Sequence, residues 1–187
     1  MQPHTGLAQT PQHLRWWSRV HRHLMPDYNR KATVYWWLVA VMGGVTLIGS
    51  MVSVVDDGPQ AWLQIAIGMA IAMFAGFFPV RVPRSKNSFA AGEIFIFLLL
   101  LIHGPGAAAL AASGEAAVGS WRTSKRWTSR IASPAMAALA MFSAGSLFCL
   151  VFKHVADNAG LLIVATMVFA VVFFVFNTLL VTAVPRL

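Results

Sequence analysis

Four runs of this chain, residues 33–55, 61–80, 131–152 and 160–185, each hold 20 to 26 residues without one charged side chain. A hydrocarbon core roughly 30 Å thick takes about 20 apolar residues to cross. Backbone amides inside it must pair within their own segment, so each run is expected to be a membrane-crossing helix. An ordinary soluble domain does not fit. Charged residues make up 11% of the chain and hydrophobic ones 58%, against about 25% and 45–50% in soluble proteins. The same balance excludes intrinsic disorder, and the single cysteine, Cys149, has no intrachain partner for a disulfide.

Residues 89–121 form a further stretch, too long for one crossing and interrupted at Gly104-Pro105-Gly106. Proline removes an amide donor and the glycines favour a turn, so a helical hairpin with arms at 89–103 and 105–121 is expected. The second arm is mostly Ala, Gly and Ser, residues that let membrane helices approach closely. Both arms are short, and they are either thinly embedded or re-entrant. The fold class is therefore all-α and membrane-integral. Six membrane-embedded helices, two of them short and paired in the mid-chain hairpin, follow an N-terminal amphipathic interfacial helix. Residues 1–30 form a cytoplasmic arm and residues 31–187 the membrane domain.

Charge placement sets the orientation. With six embedded helices and the N-terminus in the cytoplasm, every Lys and Arg except Lys153 falls on the inner side, while Asp56, Asp57 and Asp157 fall outside. This is the bias of cytoplasmic loops in a bacterial inner membrane protein, with both termini inside. It accounts for the net charge of +8, so nucleic acid is not an expected partner. The first apolar run starts only at residue 33, is too long, and lacks a cleavage pattern, so a signal peptide is not expected.

Two basic segments flank the spans. In the first, Leu14, Trp17, His21 and Leu24 recur at helical spacing with Arg15, Arg19 and Arg22 on the other side. That pattern describes a helix lying in the interface, its arginines toward lipid phosphates or a docking partner. In the second, Arg122, Arg126 and Arg130 are four apart and would line one helix face, toward anionic lipid or a cytoplasmic domain. Either segment also reads as a plain anchor.

Glu93 and Glu115 are the only Asp, Glu, Lys or Arg residues within the expected spans. A carboxylate inside a membrane is costly to hold there, which makes each a candidate for ligand or proton binding. Each lies eleven residues from Gly104, so in a hairpin both stand about 16 Å from the turn, at similar depth. Facing one another, they would share a proton or bind a cation. Alternatively each is a neutral packing residue, and Glu93 suits the start of its helix. No P-loop, nucleophile elbow or metal-ligand spacing is present, so neither an enzyme, a cofactor nor a metal is expected.

The motifs Pro79-Val80-Arg81-Val82-Pro83, Gly92-Glu93, Gly104-Pro105 and Gly119-Ser120-Trp121-Arg122-Thr123-Ser124-Lys125-Arg126 carry a resemblance. Over roughly residues 30–185 the chain resembles the N-terminal multi-helix membrane domains of bacterial signalling proteins, chiefly diguanylate cyclases with a C-terminal GGDEF domain. The resemblance implies a sensory role in cyclic di-GMP signalling. Membrane lipids are expected partners, and a cytoplasmic signalling domain and a second copy of the chain are further candidates. The output domain would lie beyond Leu187 or on a separate protein. The chain also resembles, less closely, the substrate-binding membrane subunits of energy-coupling-factor transporters. A small transporter, or a structural subunit of a membrane complex, is the alternative to a sensor.

Overall fold

The computed structural model describes residues 30–55, 58–77, 80–81, 88–89, 92–155 and 158–183. The expected amphipathic helix, with Arg15, Arg19 and Arg22, lies outside them. Six helices follow in order: α1 (Arg30–Val55), α2 (Pro59–Gly76), α3 (Glu93–His103), α4 (Pro105–Thr123), α5 (Trp127–Val155) and α6 (Ala159–Ala183). Between α2 and α3 a short antiparallel pair, β1 (Val80–Arg81) and β2 (Ser88–Phe89), aligns Val80 with Phe89 and Arg81 with Ser88. α1, α2, α5 and α6 are long and apolar enough to cross a membrane.

Local chemistry explains the breaks. Gly58 and Gly104 hold φ of +88° and +84°, values that side-chain-bearing residues rarely adopt. Each is followed by proline at the first helical position, where the missing amide costs nothing. Asn158 starts α6, its Oδ1 accepting from the Gly160 and Leu161 amides at 3.0 and 3.2 Å.

Three boundaries differ from expectation. α2 ends at Gly76, short of residue 80, because Val80 leaves the helix to pair with Phe89. The same pairing takes Phe89 away from the first hairpin arm, which starts at Glu93. The helical register that would align Arg122, Arg126 and Arg130 is broken at residues 124–126. Ser124 is extended there, and its hydroxyl accepts from the Arg126 amide at 3.2 Å. This is the local competition with helix that serine offers.

Burial runs opposite to hydrophobicity. α4, rich in alanine, occupies the centre, packed against α1, α2, α3 and α5. It buries Gly106, Ala107, Ala108, Ala109, Ala111 and Ala112. α6, almost wholly apolar, packs chiefly on α5 and buries only Ala165 and Phe169 among its described side chains. Val168, Val171 and Phe174 stand exposed along it. Water would penalise that surface heavily, whereas in lipid the driving force is close packing of small residues. The arrangement is that of a helical protein compatible with a membrane.

Antiparallel contacts order the helix ends. The Trp36 indole donates to the Thr128 carbonyl at 2.9 Å, and the Tyr35 hydroxyl to the Leu180 carbonyl at 2.8 Å. The starts of α1 and α5 and the end of α6 therefore share one end of the bundle. The Arg122 guanidinium donates to the Phe77 carbonyl and lies over its ring, placing the ends of α4 and α2 together as well.

Candidate functional site

Glu115 projects from α4, two turns before that helix ends, into the gap between the end of α2 and the start of α3. The fit is made by two glycines. A Cβ built on Gly92 would lie 2.5 Å from Glu115 Oε1 and 2.7 Å from its Cδ. One on Gly76 would lie 3.1 Å from Glu115 Cγ. Real Cβ atoms do not tolerate the first distance, so the carboxyl rests directly on glycine backbone. The Ala72 carbonyl oxygen, 2.9 Å from the same Gly92 point, completes the cradle.

The residue as a whole is half-buried, but Oε1 is shielded from solvent and has no hydrogen-bond partner. Buried polar atoms are nearly always paired, which makes an orphaned carboxyl oxygen a feature requiring a cause. Glu93, in the first turn of α3, is exposed. It is the residue next to Gly92, on which the Glu115 carboxyl rests. The cationic neighbour two turns along α4, Arg122, is committed to Phe77. The seat of the Glu115 carboxyl thus has the Ala72 carbonyl beside it.

The structure brings Glu93 and Glu115 to the same end of the hairpin, Glu93 exposed and Glu115 in the cradle. Gly76, Gly92 and Ala72 were not legible as site residues. Glycine beside Glu93 in sequence was the only signal, and it does not reveal which side chain lands on it. A second orphaned atom, Ser50 Oγ, lies in α1, where Ser50 and Ser53 pack on Gly106 of α4.

The basic segment at residues 120–130 is internally organised. Arg130 Cζ stands 4.4 Å from the Trp121 ring centre and 5.4 Å from that of Trp127, the two rings meeting edge to face. Its Nε donates to the Ser124 carbonyl at 2.9 Å and its Nη2 to Trp121 at 3.4 Å, closing the end of α4. Arg130 is thus a helix-terminating clamp rather than a member of an arginine face.

Among the described residues no group of three or more His, Cys, Asp or Glu is placed to hold a metal. Comparison of the chain with protein-family models, with curated proteins and with solved structures finds no match in any of the three.

Proposed function

We propose that this chain is a membrane-integral sensory domain of bacterial signalling, non-catalytic in itself, whose sensing group is Glu115. The observation that carries the reading is the orphaned, shielded Oε1 of Glu115 at the meeting point of three helices. A buried carboxyl that lacks a partner gains much from any proton, cation or donor that reaches it. Its seat joins α4 to the end of α2 and the start of α3, so occupancy there bears on how these three helices pack. The resemblance to membrane domains of diguanylate cyclases supports the same role, with a cytoplasmic output domain as partner and cyclic di-GMP as the downstream signal.

In this reading the hairpin is embedded with the four long helices, making six, and both termini are cytoplasmic. α3 spans about 16 Å and cannot cross the bilayer alone. It is re-entrant, with its start and Glu93 toward the inner face. The basic side chains around α2–α3 and α4–α5 then lie at the cytoplasmic surface, as the positive-inside bias requires.

The test uses a fluorophore at Thr123, exposed at the end of α4, in protein reconstituted in liposomes. Titration with protons and then with monovalent and divalent cations should change its emission in the native protein. Glu115→Gln, which keeps shape and removes the charge, should abolish the change while the protein stays folded. A response that survives in Glu115→Gln overturns the proposal.

A further inference from the structure

The Glu115 seat is short of donors, not of acceptors. Glu115 Oε1 and the Ala72 carbonyl oxygen lie 2.5 and 2.9 Å from one point, that of a Cβ on Gly92. Ala72 is fully buried, and Oε1 is shielded and unpaired. A carbonyl and an ionised carboxyl both only accept. Two acceptors crowded together away from water repel, and no bond offsets the cost of hiding them. The amides that open α3, directly after Gly92, do not donate to Oε1.

Among the described residues, the titratable and charged groups on the helices packed against α4 supply no donor either. α2 carries no such group, and it ends here in free carbonyls, the negative pole of a helix. α3 brings the exposed Glu93, and His103 at its far end. On α5, Arg130 is committed to its two tryptophan rings and the Ser124 carbonyl, while Cys149, Lys153 and His154 lie toward the other end. α1 opens with Arg30 and Lys31, but packs Ser50 and Ser53 on Gly106, at the far end of α4. Its Tyr35 hydroxyl is committed to Leu180, and Arg122 of α4 itself to Phe77.

Building on the sensing role of Glu115, we propose that the ligand of this seat is a proton, and that protonated Glu115 donates through Oε1 to the Ala72 carbonyl, tying α4 to α2. Size and bonding capacity select it. Calcium and magnesium take about six oxygen ligands or more. Here one carboxyl oxygen and one carbonyl oxygen meet against glycine backbone, where not even a methyl carbon fits. A proton takes no such space and turns one of the two acceptors into a donor. The Ala72 carbonyl accepts within α2 and still has a second lone pair for that bond. Low pH therefore closes α4 on α2, and high pH sets the two acceptors against each other.

Infrared titration tests this on the whole chain in liposomes, with its glutamate carboxyls labelled with carbon-13. The chain has only two glutamates, so Glu93→Gln leaves Glu115 as the single labelled group. Its carboxylic-acid band should carry the downward shift of a hydrogen-bonded acid. It should give way to the carboxylate band over the same pH range that changes the emission of the Thr123 fluorophore. Glu115→Gln, whose amide donates where the acid does, should hold that emission at its low-pH value at every pH. Of the ligands titrated, protons alone should act, with sodium, potassium and magnesium silent at fixed pH. A carboxylate band unchanged through the titration overturns the proposal. So does a Glu115→Gln emission held at the high-pH value, or a cation response at fixed pH that needs Glu115. Each of these leaves Glu115 as the sensing group, whereas a pH response surviving in Glu115→Gln removes that reading and the proposal together.

Discussion

Oε1 of Glu115 lies 2.5 Å from the point that a Cβ on Gly92 would occupy. The relationship ties the middle of α4 to the first turn of α3 through a contact that only glycine permits. Gly92→Ala must push the carboxyl out or move α3 off α4 and the Ala72 carbonyl. Thermal unfolding in detergent should show a loss of about 1–3 kcal/mol, as for other overpacked sites. Gly49→Ala, whose Cβ would meet nothing within 4 Å, is the matched control and should show no loss.

At the α1–α5 crossing, a Cβ on Gly43 would meet the Cβ of Ala135 at 2.5 Å and its Cα at 2.7 Å. Both neighbours belong to rigid backbone, so no side-chain rotation relieves the clash. Gly43→Ala should destabilise by about 1–3 kcal/mol. A compensating Ala135→Gly should recover part of that loss, and unfolding of the double variant measures how much.

The Trp36 indole is buried and donates to the Thr128 carbonyl. Trp36→Phe keeps most of the apolar volume and removes the indole donor from a carbonyl that still accepts within α5. A loss of about 1 kcal/mol is expected. Replacing exposed Trp37 by Phe should change stability much less in the same unfolding assay.

Arg130 stacks on two tryptophan rings and closes the end of α4. A lysine keeps the charge but has neither the planar stack nor the forked donors. Arg130→Lys should therefore behave like Arg130→Ala, with altered tryptophan emission and faster amide exchange at residues 121–126. Native-like emission in Arg130→Lys would show that charge alone organises the segment.

Orientation is open to direct labelling. In a Cys149→Ala background, cysteines at Gly58 and Asn158 should react with an impermeant maleimide from outside intact cells. One at Ser124 should react only after permeabilisation. Labelling at Ser124 from outside would contradict the proposed six-helix topology.

How much of this was written in the chain can be judged helix by helix. Charge-free runs specify α1, α2, α5 and α6, because a length of apolar sequence matched to the bilayer has few other folds. Gly104-Pro105 specifies the hairpin turn for an equally local reason, a positive φ followed by a residue without an amide. The equal spacing of Glu93 and Glu115 from that turn likewise brings both to the end of the hairpin away from it. Tertiary structure alone decides the rest. Residues 124–126 break the arginine stripe, where Arg130 of α5 folds back over Trp121 and the Ser124 carbonyl at the end of α4. Val80 and Phe89 leave their apolar runs to pair with each other. The Glu115 cradle is assembled from Ala72 and Gly76 of α2 and from Gly92 just before α3, and no periodicity along one segment encodes which neighbour its side chain will touch. Hydropathy reports how far a segment can run through lipid, whereas close packing between segments depends on where small residues meet across a helix crossing.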